Sequence, residues 1–157
     1  MAKQPLVDLS ALDLSQTEIG IEAIRKFNAQ RFEMEQLNGI VKYDPNTQTM
    51  VARKDVTDDE FWCRGHIPSR PLLPGVLMLE AAAQACSFYY KQVTGVEGFL
   101  GFAGINDVKF RGTVEPGDKL YILIHNIELK KRRAIFETQG VVNGKMVFEA
   151  VIIGMPI

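Results

Sequence analysis

The pattern of apolar and polar positions changes character along the chain, and each change predicts an element. Residues 1–14 carry apolar side chains without a clear period and read as a loosely held lead-in to a single domain spanning 1–157. Ser15-Gln-Thr-Glu18 has the form of a capping box, with Leu14 and Ile19 spaced as a hydrophobic staple. Ile19, Ala23, Ile24 and Phe27 then recur at helical spacing and predict an amphipathic helix of about four turns. Residues 32–43 read as a strand, Asp44-Pro-Asn-Thr47 as a turn, and residues 50–56 as the returning hairpin strand. A second capping box, Thr57-Asp-Asp-Glu60, opens a short turn of helix, and a loop punctuated by Pro68, Pro71 and Pro74 follows.

Beyond Pro74-Gly75 the pattern becomes apolar on every side: Val76, Leu77, Met78, Leu79, then a run rich in alanine ending in Phe88-Tyr-Tyr90. Such a helix has to be wrapped by protein. Pro74 suits its first helical position, where a missing N–H costs nothing. The last third reads as strands: 100–114, closed by Glu115-Pro-Gly-Asp118; 120–129; then 134–142 and 146–153, joined by Asn143-Gly144, the strongest short hairpin signal in the chain. Lys130-Lys-Arg-Arg133 falls at the remaining turn. One apolar helix beside several antiparallel strands predicts an α+β fold whose curved antiparallel sheet wraps a long central helix.

Composition narrows the partners. Eighteen basic and nineteen acidic residues leave a formal charge of -1, so no overall field draws the chain to nucleic acid. Two cysteines, Cys63 and Cys86, and two distant histidines, His66 and His125, do not supply a structural metal site or a disulfide framework. A reduced cysteine pair is expected. The apolar stretch 76–90 is too short to span a bilayer and contains Glu80 and Gln84, and the N-terminus lacks a secretory apolar region. A soluble cytoplasmic protein without metal, nucleic acid or membrane span is expected.

Glu80 and Gln84 are the only polar residues in the apolar helix before Ser87, and their spacing puts them on one face. A carboxyl in such surroundings must be paired, hydrogen-bonded or protonated, as a structural tie or as a reactive group. His66 lies shortly before, in Gly65-His-Ile-Pro-Ser-Arg-Pro71, and histidine is the side chain suited to proton transfer near neutrality. The helix start at Gly75 and Val76 offers free backbone N–H groups and the positive end of the helix dipole, a place for an oxyanion. A base, an acid and an oxyanion site thus fall within about twenty residues. A Cys63–His66 nucleophilic pair is a weaker alternative, and His125 reads as an ordinary strand residue.

The run Gly65-His-Ile-Pro-Ser-Arg-Pro-Leu-Leu-Pro-Gly-Val-Leu-Met-Leu-Glu-Ala-Ala-Ala-Gln84 resembles the signature of the FabZ-type (3R)-hydroxyacyl-acyl carrier protein dehydratases. Phe102-Ala-Gly-Ile105, Lys109-Phe110 and Pro116-Gly-Asp118 extend the likeness, which covers roughly residues 55–155. The resemblance implies the hotdog fold and a lyase that dehydrates 3-hydroxyacyl thioesters to trans-2-enoyl thioesters in fatty acid or related lipid biosynthesis. It implies His66 as catalytic base, Glu80 as acid or water-orienting group, the backbone of Gly75 and Val76 as oxyanion donors, and Gln84 in support. It further implies an acyl-phosphopantetheine substrate on acyl carrier protein, no cofactor, and a homodimer with shared sites, or a hexamer built as a trimer of dimers. Lys130-Lys-Arg-Arg133, with Lys109 and Arg111, is a candidate docking patch for that acidic carrier, the alternative being a solvated hairpin tip. Residues 28–39 keep little of the usual family pattern beyond Arg31 and Phe32, which leaves the acyl-chain length open and keeps two other readings in view: a catalytically silent acyl-binding subunit and a hotdog thioesterase.

Overall fold

The computed structural model describes residues 3–157. A two-residue strand β1 (Ile19–Gly20) leads into a short helix α1 (Ile21–Phe27), and the hairpin β2 (Gly39–Asp44) and β3 (Thr49–Asp55) follows. Next comes the long helix α2 (Gly75–Thr94), then four long strands: β4 (Leu100–Phe110), β5 (Lys119–Lys130), β6 (Arg133–Val142) and β7 (Lys145–Pro156). All seven strands form one antiparallel sheet in the order β1-β2-β3-β5-β6-β7-β4. α2 packs on β3, β4, β5, β6 and β7, so the sheet curls about a single helix. This is the expected hotdog fold.

The second half of α2 is enclosed from Gln84 to Lys91, as its all-round apolar surface requires. Tyr89 meets the edges of Tyr43 and Phe136, and Phe88 that of Phe27. The first turns differ from expectation: Val76 is 70% exposed, and Leu77, Leu79, Glu80 and Ala83 are only half-buried. The uncovered length lies where the apolar surface meets the Pro-rich loop. Gly95, left-handed at φ 65°, ends the helix, while Pro74 stands just before its first residue and not within it.

The turns follow their residues. Asp44 accepts hydrogen bonds from the Asn46 and Thr47 N–H groups, and Asn143 and Gly144 both take positive φ in the β6–β7 turn. Three local expectations fail. Ser15 does not cap a four-turn helix: its N–H and hydroxyl both bond to Asp13, closing an Asx turn, and Ile19 and Gly20 pair with Ile40 and Gly39. α1 is therefore two turns long and begins after Gly20. Residues 32–38 are not strand but a single 3₁₀ turn, Phe32–Met34, and a crossing segment. Thr57 and Glu60 do close half a capping box, the Thr57 N–H bonding to Glu60 Oε2, but only turns follow.

The expected loose lead-in is also tied down. The Leu6 N–H bonds to Gln139 Oε1 and the Gln139 amide to the Gln4 carbonyl. Leu6, Val7, Leu9, Leu12 and Leu14 cover Val41, Val51, Leu123 and Val141 on the sheet face opposite α2. Covering that face removes apolar side chains from water that α2 does not reach.

Gly140 sets how closely β6 packs on its neighbours, since a Cβ there would collide with the edge of the Phe148 ring and lie 3.2 Å from Leu120 Cδ1. Both side chains are fully buried and have nowhere to move. Gly140→Ala is expected to lower the unfolding free energy by about 1–3 kcal/mol in urea titration.

Candidate active site

Trp62, buried in the core, anchors the loop that carries His66, and the His66 N–H bonds to its carbonyl at 2.8 Å. Arg70 donates to Glu115 at 2.7 and 3.1 Å, and the Leu73 N–H bonds to the Val114 carbonyl, so the loop is fastened to the β4–β5 connection on both sides. His66 Nδ1 lies 2.7 Å from the Leu72 carbonyl. A carbonyl only accepts, so Nδ1 carries a hydrogen, and in the neutral ring Nε2 is the nitrogen with the lone pair. The His66 ring is exposed. Ile67, next in the chain, holds φ 56°, a left-handed conformation that costs a branched residue of order 1–3 kcal/mol.

The loop ends at α2. Pro74 provides no side-chain cap, and its carbonyl takes the N–H groups of Leu77 and Met78. The N–H groups of Gly75 and Val76 have no partner among the described residues. Gly75 lets the ring of Phe110, which ends β4, lie over the helix start: a Cβ would lie 2.7 Å from that exposed ring, which would have to shift.

One turn and a half further along, Glu80 is half-buried rather than enclosed, and its Oε1 accepts a hydrogen bond of 2.8 Å from the Gln84 amide. Gln84 is buried and reaches past the helix to the 3₁₀ segment, donating to the Met34 carbonyl at 2.7 Å and accepting from the Gln36 N–H at 3.0 Å. The structure thus joins Gln84 to Glu80, while no hydrogen bond joins either to His66 among the described residues.

The residues missed by pattern reading are those holding 28–36 in place. Arg31 donates to the carbonyls of Arg25, Asn28 and Gln30, Asn28 donates to the Gln84 carbonyl, and Arg25 grips both oxygens of Glu35 at 2.8 and 2.9 Å. The charges of Arg31 and Glu35 were legible; their partners, many residues away or on backbone, were not. The Lys91 ammonium donates to the Phe27 carbonyl at the end of α1, and burial lowers its pKa.

Neither cysteine is a nucleophile in waiting. Both are free; burial raises the thiol pKa of Cys63 and raises that of the enclosed Cys86 well above its ordinary value. His125 faces Glu137 across β5 and β6 at 3.3 Å, as a strand residue would. Half of the basic run is spent locally, Glu128 pairing with Lys130 and Arg133, and outside the run Arg111 pairs with Glu149. The Lys131 carbonyl receives the Tyr90 hydroxyl. Tyr90 lies about 22 Å along α2 from Gly75 at 1.5 Å per residue, so this tip sits at the far end of the helix from Gly75. No helix among the described residues is long and apolar enough to cross a membrane, and no group of three or more metal-ligating side chains gathers there.

The family model for a FabA-like domain matches residues 28–151. The chain belongs to this FabA-like family. The 3-hydroxyacyl-[acyl-carrier-protein] dehydratase FabZ of Shewanella woodyi is 34% identical over 135 residues, which are 84% of this chain and 88% of that protein. The protein of the same name from Neisseria meningitidis serogroup C is 35% identical over 140 residues, 86% and 93% of the two chains. Among solved structures, the dehydratase heterocomplex ApeI:P from Xenorhabdus doucetiae superposes with a TM-score of 0.73 at 14% identity, covering 85% of this chain and 90% of that one. At that identity the likeness is one of fold. The family match includes residues 28–39, so that segment belongs to the shared domain and is not an appended one.

The Arg25–Glu35 pair that pins this segment gives it a pH dependence. Its hydrogen bonds from Arg25 hold the Glu35 carboxyl below the ordinary carboxylate range. A depressed folded value means stabilisation that is complete above the unfolded value and lost as pH falls through the folded one. Arg25→Met is therefore expected to lower the thermal midpoint near neutrality, the gap to wild type closing as the pH is taken below the ordinary glutamate range.

Proposed function

We propose that the chain is a cytoplasmic 3-hydroxyacyl-[acyl-carrier-protein] dehydratase that removes water from a (3R)-hydroxyacyl thioester to give the trans-2-enoyl thioester in fatty acid or related lipid biosynthesis. The observation that carries this reading is His66 with Nδ1 bound to the Leu72 carbonyl and Nε2 free, in a loop that runs directly into the open start of α2. The relatives that bear this activity in their names span most of the chain.

The chemistry follows from those groups. His66 Nε2 takes the Cα proton, the developing charge on the thioester oxygen falls to the N–H groups of Gly75 and Val76, and the departing 3-hydroxyl takes a proton from Glu80 to leave as water. An oxyanion donor of this kind contributes about 2.7–4 kcal/mol to lowering the barrier. A thioesterase would direct water at the thioester carbonyl and has no use for a histidine held in one tautomer.

The site is completed by a second copy of the chain. His66 is exposed, Glu80 half-buried, and the first turns of α2 uncovered in the single chain. β4 is the last strand of the sheet, an eleven-residue edge bearing the exposed Phe102 and Phe110. A long open edge with exposed aromatic side chains needs a cover, and a partner's β4 would supply one while bringing its helix start close. Such a dimer would pair the histidine of one subunit with the glutamate of the other, and three dimers would make the hexamer.

Purified protein is expected to consume a trans-2-enoyl thioester, with enoyl absorbance falling and no free thiol released. His66→Ala and Glu80→Gln should each abolish this; undiminished rates in either variant, or thiol release instead, would refute the assignment. Co-expressing the two variants should restore about a quarter of the wild-type rate, because half the random dimers hold one intact shared site. Sites built within one subunit would stay inactive in the mixture.

A further inference from the structure

The upstream hold on the His66 loop is a buried ion pair. Lys54, on β3, has a side chain only 4% exposed, and its ammonium donates at 2.6 Å to Oε1 of Glu60, whose side chain is 15% exposed. The second oxygen of Glu60 takes the Thr57 N–H at 3.0 Å, and the Glu60 carbonyl takes the Cys63 N–H at 3.0 Å. Glu60 thereby joins a core strand to the turn that leads to Trp62, whose carbonyl holds the His66 N–H. The buried Trp62 ring sets the depth of this turn but not its direction, since apolar packing is non-directional and the indole N–H has no hydrogen-bond partner among the described residues. The directional contacts are those of Glu60.

Stability does not account for such a pair. Two charges must leave water to form it, and replacing both by apolar side chains of similar volume commonly leaves a fold as stable or more so. What the pair adds is a fixed geometry. Resting on the dehydratase reading of the site, we propose that Lys54 and Glu60 are positioning residues that set where His66 stands relative to the start of α2. β3 is paired with β5 and packs on α2, so Glu60 refers the turn to the body that carries Gly75 and Val76. Downstream, the Leu73 N–H on the Val114 carbonyl closes the other side, while the Arg70–Glu115 pair, 65% and 46% exposed, adds little in water. A histidine that meets the glutamate of a partner subunit is not guided by that glutamate within its own chain. Its place has to come from the fastenings of its own loop.

Removing the charges singly and together separates positioning from folding. Lys54→Met leaves a carboxylate, and Glu60→Gln an ammonium, without its counter-charge in the interior, and each should lower the thermal midpoint. The double variant Lys54→Met/Glu60→Gln leaves no charge there and keeps an acceptor for the Thr57 N–H. It should melt near wild type and above both single variants. In enoyl-thioester hydration the double variant should nevertheless lose about 10- to 10²-fold in kcat with little change in KM, the cost of a base held slightly out of place.

A second readout needs no turnover. In ¹⁵N-labelled protein the neutral His66 ring should carry its hydrogen on Nδ1, and in the double variant its two nitrogen signals should move toward the averaged positions of a free imidazole. A double variant no more stable than the single ones, an active enzyme whose double variant keeps the wild-type kcat, or unmoved His66 signals would each overturn the proposal. An inactive wild type whose His66 signals do respond would instead reject the dehydratase reading and leave the hold of Lys54 and Glu60 on His66 standing.

Discussion

The enclosure of α2 by one curved sheet is the constraint on which the rest depends. A helix whose second half is apolar all round has no stable place except inside other protein. Only the long antiparallel strands β5, β6 and β7, with β3 and β4 beside them, provide enough surface to surround it. The enclosure ends at the helix start, where free N–H groups would be costly to bury without partners. Core and open end are thus two parts of one helix. Apolar packing fixes the position of the backbone dipole and N–H groups to which an anionic intermediate would be drawn.

Around that end, groups are held by backbone as much as by other side chains. His66 is oriented by a carbonyl six residues on, Gln84 by Met34 and Gln36, and Arg31 by one carbonyl in the last turn of α1 and two just past it. The Leu72 carbonyl leaves Nε2 of His66 free and the Gln84 amide leaves Oε2 of Glu80 free, while each restricts how its partner's side chain turns. From residues 28–39 the Gln84 amide takes a carbonyl at 34 and an N–H at 36, which many residue types could provide, while the Gln84 carbonyl takes the side-chain amide of Asn28, which few could.

Charge has a smaller part than the sequence suggests. The run at 130–133 looks like a docking patch when written out, but in the fold Glu128 takes two of its four cations, and the tip stands at the end of α2 away from Gly75. The pair formed by Arg111 and Glu149 is likewise local to the sheet. An acidic carrier approaching this end would meet Lys131 and Arg132 alone of the run's cations with no carboxylate beside them among the described residues.

The sequence by itself determined the central helix, the hairpins at Asn143-Gly144 and Asp44-Pro-Asn-Thr47, and the shared helix face of Glu80 and Gln84, because all of these rest on periodicity, turn chemistry or short spacing that operates along the chain. The tertiary structure alone decided what depended on distant partners. Ser15 turned to Asp13 once Ile19 and Gly20 were paired with β2; residues 32–38 gave up strand pairing for contacts with Arg25 and Gln84; and residues 6–14 closed over the outer sheet face. Glu80 was conspicuous as an acid in an apolar run, but its half-open setting and its tie to Gln84 became visible only when the helix was in place. Local rules state what a segment can form alone, whereas burial and hydrogen-bond satisfaction are settled by the segments that fold against it.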